Sequence, residues 1–441
     1  MTENPARGAQ ATGEAEVVDI CRDLIRINTT NPGDHSGPGE RVAAEYVAGL
    51  LADVGIEPVV LESHPKRTSV VARIAGEDPT RPALLIHGHL DVVPANAGDW
   101  TRDPFGGEIA DGYVWGRGAI DMKDMDAMML AVVRQRLREG RKPKRDVVLA
   151  FPADEEAGGK WGAAFLIREH AELFEGVTEA IGEVGGFSMT LGGQRLYPLQ
   201  TAEKGLAWMR LTATGTAGHG SMIRRDNAVT AVAEAVAKIG RHEWPVQLPE
   251  SVRAFLAEAS DVLGVEFDPT DPGTVLEKLG PMERMIGATT KNTSNPTGLK
   301  AGYKVNVIPQ SASAEIDGRF LPGHEEEFFA EIDRLLGPVV KREFIYNDTS
   351  LETTADGELY DAMTASLLAE DPEARVAPYC FSAGTDAKWF SKLGIRCFGF
   401  SPLKLPPELD FSGMFHGIDE RVAVSGLQFG VRVLDRFLDL A

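Results

Sequence analysis

The sequence predicts an α/β protein in which a mixed sheet is flanked by helices, with a smaller α+β domain inserted into it. Short apolar runs such as 83–86 and 146–151 have the length of buried strands, and they alternate with segments of helical spacing. Several of these runs end in polar residues, at the sheet edge where α/β proteins bind ligands. The length of 441 residues is more than one hydrophobic core usually holds, which indicates two domains.

The first part of the chain reads as two helices, a set of strands and a third helix. Apolar residues follow helical spacing over 15–27 and 40–54, and each of these segments is followed by a glycine-containing stop signal. A methionine-rich apolar stripe, typical of core packing, follows Asp121 and predicts a helix that closes at Gly140. The predicted strand regions are 58–61, 69–74, 83–86, 146–151 and 175–184.

At about Lys204 the pattern changes to strict alternation of apolar and polar residues, which is typical of half-buried strands. The elements expected from there are alternation over 205–215, a helix over 228–239, alternation over 302–320, a helix over 325–336 and a strand over 340–346. They give a β-α-β-β-α-β order with a helical excursion over about 247–280. We therefore predict an inserted domain at 204–348 and a main domain formed by 1–203 and 349–441.

From about Leu351 the chain returns to helix, strand and loop. The expected elements are a helix over 358–368, a strand over 395–400 and a final helix from 418 to about 438.

Composition narrows the range of partners. The chain has 66 acidic and 45 basic residues and a net charge of -21, which argues against nucleic acid or an anionic membrane as a partner. No apolar stretch approaches the roughly 20 residues of a membrane span. Three cysteines cannot all pair within the chain, so we expect no disulfide framework and a cytoplasmic location.

Polar residues at the predicted strand ends suggest a metal site. His89 with Asp91, Asp121, Glu155 with Glu156, and Glu183 follow successive elements, and His416 precedes the last helix. Each of them alone has an ordinary explanation as a core or solvated residue. Together, two histidines and several carboxylates at one sheet edge would form a two-metal site in which one carboxylate bridges both ions.

Six ordered motifs and a late histidine make the chain resemble a known family. The runs are GHLDVVP, GRGAIDMK, DEEAGG, EVGG, AGHGS and NVIP, and they cover the chain from about residue 15. They are similar to those of the dinuclear zinc hydrolases that include aminoacylase, acetylornithine deacetylase, succinyl-diaminopimelate desuccinylase and carboxypeptidase G. The resemblance implies two zinc ions per subunit, with cobalt or manganese able to substitute, and a cis peptide bond after Asp121.

The resemblance also assigns the metal ligands and the catalytic groups. One zinc would be held by His89, Asp121 and Glu183, and the other by Asp121, Glu156 and His416. Asp91 would hydrogen-bond the far nitrogen of His89, and Glu155 would be the general base. Spacing alone does not distinguish Glu155 from Glu156. The neighbouring His87 has no comparable role and reads as a packing residue.

The resemblance also implies which residues contact the substrate. His219 would stabilise the oxyanion, contributed by the partner subunit of a homodimer. Asn306, Arg319, Gly384 and Thr385 resemble positions that hold the substrate. The guanidinium of Arg319 suits a substrate carboxylate, but a surface salt bridge is the ordinary alternative.

The reaction implied is hydrolysis of an amide. Glutamate rather than aspartate at position 183 favours an N-acyl amino acid, or the C-terminal residue of a small peptide, as the substrate. A dipeptidase acting on short peptides with a free amine is the alternative. A binding protein that has lost its metals is a third, and the presence of every ligand type and of Glu155 argues against it.

Overall fold

The computed structural model describes residues 12–441, which form two compact units. The first unit contains residues 12–201, 353–378 and 385–441, and the second contains 202–352 and 379–384. The polypeptide therefore leaves the first unit once for a long excursion and again for a short one. None of the helices among the described residues is both long and apolar enough to cross a lipid bilayer.

The first unit combines helices with a mixed sheet. Its helices are Gly13–Arg26, Arg41–Ala52, Lys123–Arg138, Ala163–Glu169, Gly357–Glu370, Ala387–Phe390 and Val424–Leu440. Its strands are Val59–His64, Arg67–Ile74, Ala83–His87, Glu108–Ala110, Tyr113–Trp115, Val147–Phe151, Val177–Gly182, Met189–Leu191, Arg396–Gly399 and Arg421–Ala423, together with most of Gln194–Glu203 and Arg375–Phe381, which cross the boundary between the units.

Four parallel strands form the centre of the main sheet. They stand in the order Val147–Phe151, Ala83–His87, Val177–Gly182 and Arg396–Gly399. All five residues of each of the first two are buried, as expected for apolar runs covered by helices on both faces. Because parallel strands end at the same edge, the loops that follow them lie side by side.

The helix Lys123–Arg138 belongs to the core of the first unit. Met125, Met128 and Met129 are buried in it, which confirms the predicted packing role of the methionine stripe. The three cysteines, Cys21, Cys380 and Cys397, are buried.

The second unit has the β-α-β-β-α-β order. Its helices are Ala228–Gly240, Glu250–Leu263, Gly273–Leu276, Glu283–Gly287 and Glu325–Leu336, and its strands are Gly205–Thr214, Gly218–His219, Thr293–Ala301, Val307–Ile308, Ser311–Phe320, Lys341–Asp348 and Leu351–Glu352. The antiparallel sheet has the order Thr293–Ala301, Ser311–Phe320, Gly205–Thr214 and Lys341–Asp348. Apolar side chains such as Met209, Ile316 and Phe328 form its core.

Two predicted elements differ from the structure. Within the alternation expected over 302–320, only Val307–Ile308 and Ser311–Phe320 are strands. The partner strand Thr293–Ala301 was missed because Pro296 and Gly298 mark an irregular edge strand. The final helix begins at Val424 rather than at residue 418, because Arg421–Ala423 pairs with Tyr113–Trp115 as a strand.

Candidate active site

Three neighbouring parallel strands supply most of the site. His89 and Asp91 follow Ala83–His87, Glu155 and Glu156 follow Val147–Phe151, and Glu183 follows Val177–Gly182. Asp121 lies just before the helix Lys123–Arg138, and His416 lies in the loop before the strand Arg421–Ala423. The site is therefore built largely from the carboxyl edge of the sheet.

Asp121 lies between the two histidines, with one carboxylate oxygen toward each. Its Oδ1 is 3.2 Å from His89 Nε2, and its Oδ2 is 3.3 Å from His416 Nε2. Each imidazole also faces a glutamate: Glu183 Oε2 is 3.7 Å from His89 Nε2, and Glu156 Oε2 is 3.2 Å from His416 Nε2. The structure thus brings the five predicted ligands together in two groups that share Asp121.

These spacings suit a shared ion. Two ligand atoms bound to one tetrahedral ion at about 2.0–2.2 Å lie roughly 3.3–3.6 Å apart. Ligand atoms of His89, Asp121 and Glu156 lie within 4.8 Å of one another, and so do those of His89, Glu155 and Glu183. Glu155 is the most distant of three carboxylates around His89, with its Oε2 4.0 Å from Nε2. Glu155 also belongs to one of these two groups, so its role as a base rather than a ligand is part of the proposed mechanism.

Four carboxylates in one largely buried cluster favour added positive charge. Burial, followed by repulsion from Glu183, raises the pKa of Glu155 well above its usual value, and burial also raises the pKa of Glu183. Burial and the neighbouring Asp121 raise the pKa of Glu156 to about 7. Hydrogen bonds to Asp121 and Glu156 raise the pKa of His416 to about 10. The donor set, oxygen and imidazole nitrogen with excess negative charge, fits two divalent cations.

Asp91 holds the turn that carries the two glutamates, and this contact differs from the expected one. His89 Nδ1 lies 3.0 Å from the main-chain oxygen of Asp91 but 3.7 Å from its carboxylate, so the imidazole donates to the carbonyl. The carboxylate accepts hydrogen bonds from the main-chain N–H of Glu155 at 3.0 Å, from that of Glu156 at 3.2 Å and from Asn31 Nδ2 at 2.8 Å. These three donors, rather than the imidazole, are the hydrogen-bond partners of the Asp91 carboxylate.

A buried polar network continues behind Asp91. Asn31 Nδ2 also donates to Asp154 Oδ1 at 3.2 Å, and Asn31 Oδ1 accepts from Arg67 Nη2 at 2.7 Å. Arg67 in turn pairs with Glu40, and both side chains are buried. Sequence reasoning missed this network. Its one signal was the Asn-Pro-Gly turn at residue 31, which indicates only the end of a helix.

Unusual backbone conformations mark the site. Asp154, Val184 and His416 have φ values of 67°, 60° and 56°, a region that residues with a side chain seldom adopt. Each of them is a predicted ligand or lies directly beside one of the site glutamates. The peptide bond between Asp121 and Met122 is cis, as the resemblance implies.

The remaining predicted site residues belong to different units. Thr385 lies in the first unit, where its Oγ1 accepts from the Ala387 N–H at 3.1 Å. His219, Asn306, Arg319 and Gly384 lie in the second unit. There the Gly220 N–H donates to the Asn306 carbonyl at 2.9 Å, which places His219 next to Asn306.

Two residues have contacts that bear on their expected roles. Arg319 donates from Nε and Nη2 to the carboxylate of Asp317, at 2.7 and 3.1 Å, so the salt bridge named as an alternative is present. His87 packs against Phe390 with ring centroids 5.0 Å apart, and burial lowers its pKa to about 3. The ring of His87 is therefore a neutral packing group.

The fold and the carboxylate–histidine cluster together define a hydrolase of the metallopeptidase class. Residues 85–440 match the model of Peptidase family M20/M25/M40, and the chain belongs to that family. This result confirms the resemblance found in the sequence.

Individual relatives cover most of the chain. Aminoacylase-1 of Sus scrofa is 28% identical over 97% of this chain and 95% of its own length. A probable carboxypeptidase S-like 2 of Dictyostelium discoideum is 30% identical, over 81% of this chain and 71% of its own. Among solved structures, an M20 family metallo-carboxypeptidase from Sulfolobus solfataricus shares the fold, with a TM-score of 0.75, 18% identity and coverage of 96% and 99% of the two chains.

The Asp91 contacts predict how an Asp91→Asn variant behaves. In asparagine, an NH₂ group replaces one of the two carboxylate oxygens, so a donor would face the N–H groups that now donate to Asp91. The Glu155–Glu156 turn should therefore loosen, and turnover should fall. The Nδ1–H resonance of His89 should stay where it is in the wild type, because its acceptor is a main-chain oxygen. A large shift of that resonance would show that the carboxylate is the acceptor after all.

Proposed function

We propose that this chain hydrolyses the amide bond of an N-acyl amino acid, or releases the C-terminal residue of a small peptide. The observation that carries the proposal is Asp121 between two imidazoles, with Glu155 beside the cluster. The similarity to aminoacylase-1 over nearly the whole chain favours acylated amino acids.

The proposed cofactor is a pair of zinc ions per subunit, for which cobalt or manganese could substitute. His89, Asp121 and Glu183 would hold one ion, and Asp121, Glu156 and His416 the other. When bound, the two cations would polarise the amide carbonyl and lower the pKa of water.

The residues around the cluster have separate tasks in this mechanism. Glu155 accepts a proton from the attacking water and later delivers it to the leaving amine. Asp91 fixes the direction of Glu155 through the main-chain N–H of that residue.

Residues 204–348 are proposed to act as a lid and as a dimerisation domain. His219 would donate to the oxyanion in the active site of a second copy of the chain. Met222 and Ile223 lie in the same loop as His219, and Tyr303 and Val305 lie on the adjoining hairpin. All four side chains are apolar and exposed, which supports a contact with another surface.

Substrate binding by Arg319 requires an exchange of partners. A substrate carboxylate would have to displace Asp317 from the guanidinium, and the two side chains are only 22% and 30% exposed. Asn306, Gly384 and Thr385 are proposed to hold the rest of the substrate. A cytoplasmic location is proposed because three cysteines cannot all pair within the chain.

A hydrolysis screen tests the reaction and its main alternative. N-acetyl, N-succinyl, N-formyl and long-chain acyl amino acids should be cleaved faster than dipeptides with a free amine, and a chelator should abolish the activity because the carboxylate cluster then lacks its cations. Metal analysis of the active protein should find about two zinc ions per chain. Faster cleavage of dipeptides would establish the dipeptidase, and full activity without metal would refute both.

Glu155→Gln should lower kcat by about 10²–10⁴-fold, because glutamine cannot take the proton from water. The metal content should stay that of the wild type, since Glu155 is not a proposed ligand. Glu169→Gln, on the protein surface, serves as the matched control and should leave kcat unchanged. Retained turnover in Glu155→Gln would place the base elsewhere.

His219→Ala should lower kcat by about 10²–10³-fold if His219 is an oxyanion donor. Mixing this inactive variant with Glu155→Gln tests whether the histidine acts in the partner subunit. In a mixed dimer, one site would combine an intact Glu155 with the intact His219 of the other copy, so activity should return. Absence of recovery, with mixed dimers demonstrated, would place His219 in its own chain's site.

A further inference from the structure

One buried ion pair joins the loop of Asp121 to the loop of His416. Arg117 Nη1 donates to Glu420 Oε2 at 2.7 Å across 303 positions of the sequence, and the two side chains are 3% and 0% exposed. The ring of Trp100 covers the guanidinium, with 5.1 Å between Arg117 Cζ and the ring centroid. The pair is therefore shielded from water.

Each partner of this pair binds the main chain of the other partner's loop. Glu420 Oε1 accepts from the N–H of Ile120 at 2.7 Å, and Glu420 Oε2 accepts from the N–H of Gly118 at 3.1 Å. Arg117 Nη2 donates to the carbonyl of Gly417 at 2.7 Å. Ile120 directly precedes Asp121, and Gly417 directly follows His416, so the contacts reach the residues next to both proposed ligands.

His416 depends on such contacts more than the other proposed ligands do. His89, Glu156 and Glu183 follow strands whose sheet hydrogen bonds fix the start of each loop. His416 lies outside helices and strands, and its side chain is 59% exposed. An imidazole on such a loop must be held in place before it can bind an ion without a large loss of conformational entropy.

We propose that Arg117 and Glu420 are positioning residues that set the affinity of one metal site, the one formed by Asp121, Glu156 and His416. The other site, formed by His89, Asp121 and Glu183, needs them less, because strand ends hold two of its three ligands. This inference rests on the ligand sets of the proposed function. Groups that orient metal ligands typically change metal affinity by about 10–100-fold.

Titration of the metal-free protein with zinc, followed by calorimetry, tests the proposal in the full-length chain. The wild type should bind two ions. Arg117→Lys keeps the positive charge beside Glu420. Its single ammonium group, however, replaces the guanidinium that reaches both the Glu420 carboxylate and the Gly417 carbonyl. It should weaken one site by about 10–100-fold and leave the other unchanged.

A second variant and a matched control complete the experiment. Glu420→Gln keeps an acceptor for the Ile120 N–H and should weaken the same single site. Arg145→Lys alters another ion pair, a partly buried one in which Arg145 Nη1 lies 2.9 Å from Glu179 Oε2, within the strand that precedes Glu183. In Arg145→Lys, both metal sites should bind zinc as they do in the wild type.

The outcomes separate the two proposals. Fewer than two ions bound by the wild type would refute the ligand sets of the proposed function. Two ions in the wild type, with both sites unchanged or both weakened equally in Arg117→Lys and Glu420→Gln, would refute only the positioning role. Loss confined to one site in both variants, with Arg145→Lys unaffected, would support it.

Discussion

The mutual repulsion of four neighbouring carboxylates is the constraint on which the rest of the site depends. Asp121, Glu155, Glu156 and Glu183 would separate if their main chain were free to move, so the protein must hold them by other bonds. The parallel strands fix where the glutamate loops begin. Hydrogen bonds from main-chain N–H groups then fix the carboxylates themselves. One example is the bond from the Val93 N–H to Glu156 Oε1 at 3.1 Å. Because the negative charges are held close together, the cluster favours the binding of cations.

Buried, positively charged side chains outside the cluster also help to hold its main chain in place. Lys123 Nζ donates to the carbonyls of Leu24 and Ile27 at 2.9 Å, which ties the end of the helix Gly13–Arg26 to the segment after Asp121. Burial lowers the pKa of Lys123 to about 8. Arg67 and Arg117 are each paired with a buried glutamate. Such pairs add little net stability, because desolvation offsets their attraction, but they fix geometry where apolar contacts would allow sliding.

The sequence was sufficient for the features that depend on local pattern. Apolar runs of strand length predicted the central strands, and the polar residues after them predicted which side chains meet. The acceptor of His89 could not be predicted, because the carbonyl and carboxylate of Asp91 lie at the same sequence position. Glu420 and Asn31 lie far along the chain from the groups they hold, and nothing local distinguishes them from solvated residues. The strand Thr293–Ala301 was hidden by its proline and glycine, which sheet pairing overrides.

The order of the ligands along the chain has a consequence for biosynthesis. His89, Asp121, Glu156 and Glu183 all lie within the first 183 residues, whereas His416 leaves the ribosome more than 230 residues later. Domains generally begin to fold from the amino terminus during synthesis. The nascent chain therefore carries an acidic cluster that lacks one of its two histidines until residue 416 has been made. A chain cut short before that position would have the carboxylates and His89 but only part of the proposed ligand sets.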